Sequence, residues 1–197
     1  MTSTNLDVLA FDGSDAFGRW LAAHPDSPGI WLQIARKGSG EAGVTYDEAV
    51  DVALCHGWID GQKAADDDQH WLQRFTPRRP RSRWSQLNRD RAERLIRDGA
   101  MTPAGLAEVA RAKDDGRWDA AYAGQAVATV PIDLQDALDA HPPAAAAFAR
   151  LDATNRYAVI YRVQDARRPD TRARRVEGFV AMLARGETVY PRPKGRG

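Results

Sequence analysis

Apolar positions recur at helix spacing along much of this chain and alternate in two short stretches, a pattern that predicts an α+β fold. Ser14 is placed to cap a helix over residues 14–23, with Phe17, Trp20 and Leu21 on one face, and the turn His24-Pro25-Asp26-Ser27-Pro28-Gly29 stops it. Residues 30–35 read as a strand, followed by the loop Arg36-Lys37-Gly38-Ser39-Gly40. Thr45 opens a second helix, and Glu48 three residues on completes a capping box. Ala49, Val52, Ala53 and Cys55 hold its apolar spacing, and Gly57 suits its end.

Residues 58–61 and 70–76 read as two strands joined by the acidic turn Asp66-Asp67-Asp68. On the second, Trp71, Gln73 and Phe75 share one face, and Leu72 and Arg74 share the other. A loop over 77–83 leads to a helix expected at 84–97, with Trp84, Leu87, Ala92, Leu95 and Ile96 as its core side and Gly99 at its end. Thr102 and Pro103 are cap and first residue of the next helix, and Gly116 follows it. The pattern weakens over 117–131, where Trp118 and Tyr122 are expected to anchor the chain on the core, and then four helices are expected at 133–140, 142–151, 154–167 and 171–185. The last carries Val176, Phe179, Val180 and Leu183 as a buried stripe. The fold class is therefore α+β: a small antiparallel sheet with packed helices in the N-terminal part, then a helical C-terminal part. The expected division is a domain over 1–125, a helical domain over 126–190 and a disordered tail over 191–197.

Composition narrows the class further. No stretch approaches the roughly 18 apolar residues of a membrane span, so no membrane insertion is expected. The N-terminus shows no basic-then-apolar leader, and Cys55 is the one cysteine; both point to a cytoplasmic protein in a reducing compartment. The net charge is +1, unevenly spread. Residues 1–70 hold four basic side chains against twelve acidic ones, and the remainder is correspondingly basic. Two readings stay open: the halves neutralise each other, within one chain or across a homodimer, or the basic part faces an anionic partner.

The densest chemistry is the run Arg74-Phe75-Thr76-Pro77-Arg78-Arg79-Pro80-Arg81-Ser82-Arg83-Trp84. Arginine forks grip phosphate or carboxylate in two places, prolines lower the entropy lost on binding, and Trp84 offers a face for stacking. Arg74, Arg78, Arg79, Arg81, Arg83 and Trp84 are therefore candidate anion-binding residues, with Lys37, Trp58 and Asp60 placed near the sheet beside them. Asp60, between Ile59 and Gly61, is expected to answer Arg74 or another arginine, or to line a pocket. Arg172, Arg174 and Arg175 fall in the expected first turn of the last helix, where cations oppose the helix dipole and an anion would be held twice over; Arg172 and Arg175 are the site candidates there. The alternative throughout is ion pairing with the chain's own carboxylates. Cys55 and His56, adjacent on a helix, point about 100° apart and do not form a thiol–imidazole pair. The spacing of Asp66, Asp67, Asp68 and His70 fits no metal motif, and no cofactor or metal is implied. Gly38-Ser39-Gly40 lacks the spacing of a phosphate-binding loop.

Several strings together resemble a known family. They are WLQIARKGSG from Trp31, TYDEAVDVALCHGWIDG from Thr45, RFTPRRPRSRW from Arg74, AKDDGRWDAAY from Ala112 and ARRPDTRARR from Ala166. In order and spacing they are similar to YdeI/OmpD-associated proteins, also labelled bacteriocin-protection proteins. The resemblance runs from about Trp20 to Tyr190 and departs at His56, where similar proteins more often carry an aromatic residue. It implies a role in stress or antimicrobial-peptide tolerance, an association with an outer-membrane porin, and a signature domain in the helical C-terminal segment. It brings no catalytic residues with it. The expectation is a non-enzymatic protein that binds an anionic ligand or a protein partner. Two alternatives stay open: an enzyme on a small phosphate- or carboxylate-bearing substrate, using Asp60 or His56, and nucleic-acid binding by the basic second half.

Overall fold

The computed structural model describes residues 6–124 and 127–191. The chain divides into two compact units, Met1–Ala121 and Tyr122–Gly197. The division expected between 125 and 126 falls on residues outside those described, as does the expected tail from 192 onward.

The first unit runs β1 (Val8–Leu9), α1 (Ser14–Ala23), β2 (Ile30–Ala35), α2 (Tyr46–Cys55), β3 (Trp58–Ala65), β4 (His70–Pro77), α3 (Gln86–Arg97) and α4 (Pro103–Asp114). The sheet order is β1-β2-β4-β3. Strands β2, β4 and β3 are antiparallel neighbours, while β1 pairs with β2 in parallel. The sheet is therefore mixed at one edge. A two-residue strand is too short to display a period of two, which is why β1 is invisible in the apolar pattern.

Local chemistry explains the boundaries. Thr45 and Glu48 form the complete capping box at α2, and Gly57 behind it takes φ +75°. Thr102 caps α4 with Pro103 at its start. Helix α3 begins two residues later than the pattern suggests, because the Ser85 hydroxyl accepts from Asn88 N–H and becomes its cap. That shift leaves Trp84 in the preceding loop and turns Leu87 outward, 61% exposed, against the expectation that it lies in the core.

Helices α1 and α2 cover one face of the sheet. Phe17, Leu21, Ile30, Leu32, Ile34, Ala49, Ala53, Leu54 and Phe75 form the centre, with Phe17 meeting Phe75 edge-on at 5.7 Å. Trp84, Ala92, Leu95, Val109 and Trp118 continue the same cluster. Gln73 is buried among them and is satisfied: its side-chain amide donates to Gly61 O at 2.9 Å, where β3 and β4 shift register.

The second unit runs α5 (Ile132–Asp139), α6 (Pro142–Ala149), α7 (Ala153–Gln164) and α8 (Pro169–Ala184). Leu134, Leu138, Phe148, Val159, Ile160, Val163, Val176, Val180 and Leu183 form its separate core. Among the described residues no helix is long and apolar enough to cross a membrane.

Candidate functional site

The loop after β4 turns two of its residues inward and leaves two outside. Arg78 and Trp84 are both buried, at 6% and 1% exposure. The Arg78 guanidinium lies 3.5 Å over the Trp84 ring and donates from Nη1 to Arg83 O at 3.2 Å. Trp84 in turn packs edge-on against Trp118 at 4.8 Å. Arg117, also buried, donates from Nη1 to Ser82 O at 2.7 Å and holds Asp115 through Nε. The Ser82 hydroxyl accepts from Arg79 N–H at 2.9 Å. The loop is thus laced from within by two buried arginines. Its outer surface is formed by exposed Arg79 and Arg81, and neither has an ion-pair partner among the described residues.

Trp84 is therefore not an open stacking platform. One face carries Arg78, and the ring is enclosed. Arg83 is half-buried, and its main chain serves Arg78.

A cleft of about 430 Å³ opens where the loop begins, with Trp58, His56, Pro77, Arg78, Thr102 and Glu108 in its wall. Burial pushes the His56 pKa down from its ordinary value, which favours the neutral ring. Glu108 is 8% exposed; Oε1 meets Arg111 at 2.5 Å, and Oε2 is buried with no hydrogen-bond partner among the described residues. Gly57 permits this wall to close, since a Cβ there would lie 3.0 Å from Glu108 Cγ. Cys55 lies outside the cleft wall, and burial pushes its thiol pKa up, the reverse of an activated thiol.

Other expected members are dispersed. Asp60 lies opposite Phe75 on the core face of the sheet, whereas Arg74, one residue along β4, lies on the other face beside Trp31. Asp60 instead accepts from the Tyr46 hydroxyl at 2.8 Å, and burial together with Asp60 raises the Tyr46 pKa far above its usual value. Arg74 is half-buried, with Nε lacking a partner among the described residues. Lys37 follows the end of β2 that pairs with His70, whereas the arginine loop leaves the opposite end of β4. The sheet's length, roughly 20 Å for such strands, separates them. Trp58 does stand beside the loop, paired with Pro77, but is 3% exposed.

The arginines flanking the loop meet the acidic first part directly. Arg91 pairs with Asp47 at 2.5 Å and Asp51 at 3.0 Å, and Arg94 pairs with Asp51 at 2.5 Å. In the second unit, α8 starts at Pro169, which places Arg172 against Asp133 of α5 in a two-point contact at 2.6 and 2.8 Å. Arg175 reaches Arg162 O and Asp165. These two arginines are committed to their own unit, which leaves the dipole argument for an anion there with exposed Arg174 alone of the three arginines in that turn. Of the two residues that matter most to the loop's shape besides its own, Trp118 is the expected anchor of the weakly patterned stretch after α4 and is buried in the core cluster, whereas Arg117 and Glu108 carry no signal in the sequence.

A small α+β unit presenting an arginine loop beside a cleft, followed by a helical unit, defines a two-part protein with a candidate anion surface. A family model described as "Domain of unknown function (DUF8412)" matches residues 9–108. That is half the chain, and the chain belongs to this family. The model described as "Bacteriocin-protection, YdeI or OmpD-Associated" matches residues 127–186, which upholds the resemblance over the helical unit. The strings from Trp31, Thr45 and Arg74 fall in the other family's segment. Comparison with curated proteins and with solved structures gives no match.

Proposed function

We propose that this chain is a non-enzymatic, cytoplasmic binding protein in bacteriocin tolerance, and that its first unit takes up an anionic ligand on Arg79 and Arg81. The role in tolerance follows the match over residues 127–186. The observation that carries the ligand reading is the internal lacing of the loop by Arg78 and Arg117. A loop ordered before binding loses little entropy on binding, and its two outward arginines keep their full hydrogen-bonding capacity for a phosphate or carboxylate. The neighbouring cleft, with Trp58 and Pro77 in its wall, would receive the ligand's apolar portion.

The enzyme alternative asks Asp60 or His56 to work beside an arginine in a cleft; Asp60 is engaged with Tyr46 away from the cleft, and the arginine that shares the cleft with His56, Arg78, is stacked on Trp84 and bonded to Arg83 O. The nucleic-acid alternative loses Arg91 and Arg94 to Asp47 and Asp51. The test is calorimetric titration of the full chain with pyrophosphate and with citrate, alongside survival of cells challenged with a bacteriocin. Replacing Arg79 and Arg81 together by Ala is expected to weaken binding of at least one probe about tenfold or more, and to lower survival. Unchanged binding and unchanged survival overturn the reading.

A further inference from the structure

The second unit contains a site of different chemistry. Helix α7 buries Val159, Ile160 and Val163 in the core and turns Tyr157 and Tyr161 the other way. Tyr122, from the segment before α5, and Tyr190, near the end of the described chain, complete a pocket of about 470 Å³ with Thr154 and Arg162. Tyr122 meets Tyr161 edge-on at 5.3 Å, and Tyr157 lies 5.7 Å from Tyr161. The Tyr157 hydroxyl donates to Ala123 O at 3.1 Å, which fixes that ring in its wall.

Tyr190 is the telling residue. The residue is 47% exposed, yet its backbone is held by a buried side chain. Asn155, 2% exposed, accepts from Tyr190 N–H at 2.8 Å and donates to Tyr190 O at 3.3 Å, while Asp152 orients the same amide at 3.0 Å. Burying an amide is costly unless all its bonds are made. Here the made bonds serve to position an aromatic ring that the core does not use. A large ring held in place and left open is a prepared contact surface.

The charge of the site is given by Arg162. It is exposed, its guanidinium makes no ion pair among the described residues, and it stands 5.7 Å over the Tyr190 ring. No carboxylate lines the pocket. Aromatic walls alone would also suit a quaternary ammonium, but a guanidinium at the rim repels a cation and attracts an anion. The volume accommodates one or two fused rings. From these features we infer that the second unit binds a planar aromatic anion, its ring among Tyr157, Tyr161 and Tyr190 and its carboxylate or phosphate on Arg162.

The probe is 2-naphthoate, with 2-naphthylmethylamine and cyclohexanecarboxylate as charge and ring controls, titrated into the full chain. Four of the five tyrosines lie in this unit and all six tryptophans lie in the other, so tyrosine-ring NMR reports on the pocket separately. Expected results are 2-naphthoate binding with shifts of the Tyr157 and Tyr161 rings, at least tenfold weaker binding of both controls, and about tenfold loss in Arg162→Gln. Tyr122→Leu should also weaken binding, with the fold monitored by the remaining tyrosine signals. Equal or tighter binding of the amine, no effect of Arg162→Gln, or no binding of 2-naphthoate near about 1 mM overturns the proposal. The Arg79/Arg81 double substitution should leave 2-naphthoate binding unchanged. Loss of binding in that variant would place the probe on the loop and overturn the assignment to this unit, independently of whether the loop binds pyrophosphate.

Discussion

Replacing Arg78 by Ala tests whether the arginine loop is held from inside. The side chain is 6% exposed, stacks at 3.5 Å on Trp84 and donates to Arg83 O. A desolvated guanidinium–indole contact contributes about 2 kcal/mol. The lost hydrogen bond to a half-buried carbonyl adds about 1 kcal/mol. Removing a buried charge returns part of its desolvation cost, so the net loss is about 2 kcal/mol. Urea unfolding followed by tryptophan fluorescence reads the first unit alone, because all six tryptophans lie within it. With a slope of about 1–2 kcal/mol per molar urea, the midpoint should fall by about 1–2 M. Arg78→Lys should recover less than half of the loss, since an ammonium cannot stack flat and donate sideways together. Arg79→Ala, on the outer surface, should leave the midpoint unmoved. If Arg78→Ala and Arg79→Ala shift it equally, the two arginines do not differ in role and the internal lacing is refuted.

Two further predictions bear on each unit. Hydrogen bonds from Arg172 hold the Asp133 carboxyl below its usual pKa. A carboxylate depressed in the folded state contributes stability that is present above its unfolded value, near about 3.9, and is lost as pH falls through the folded value. Acid titration followed by tyrosine signals should show this loss below about pH 4, and Asp133→Asn should remove that part of the pH dependence; an unchanged profile would dismiss the pair as a contributor. In the first unit, a Cβ on Gly105 would lie 2.3 Å from Cys55 O, so α4 approaches the end of α2 only because position 105 is bare. Gly105→Ala should destabilise the unit by about 1–3 kcal/mol through overpacking, despite the higher helix propensity of alanine, and a neutral or stabilising result in the urea melt would contradict that packing.

Much of the fold was legible in the chain because its causes are local. The capping box of Thr45 and Glu48, the Thr102-Pro103 start of α4 and the glycines at 57, 99, 116 and 186 with positive φ act within a few residues of themselves. Their effect is therefore written in consecutive letters. The strand β2 and the face alternation of β4 were readable for the same reason, since burial on one side imposes a period of two. The candidate site was legible only as a composition. Five arginines in one stretch announce an anion surface or a set of ion pairs, and nothing in the string says which arginine plays which part.

The sequence alone carried the order of the helices and of three of the four strands, the α+β class and the location of the charged loop. Tertiary structure decided the roles: Arg78 and Trp84 inward, Arg79 and Arg81 outward, Asp60 and Arg74 on opposite faces of one sheet, Lys37 at its far end. It also gathered Tyr122, Tyr157, Tyr161 and Tyr190 around one pocket from three separate segments. The physical reason is range. Capping and periodicity depend on neighbours within about one turn or one pleat, whereas a cation stacked on an indole, or a carbonyl held by an arginine 35 positions away, exists only once the chain has folded back on itself.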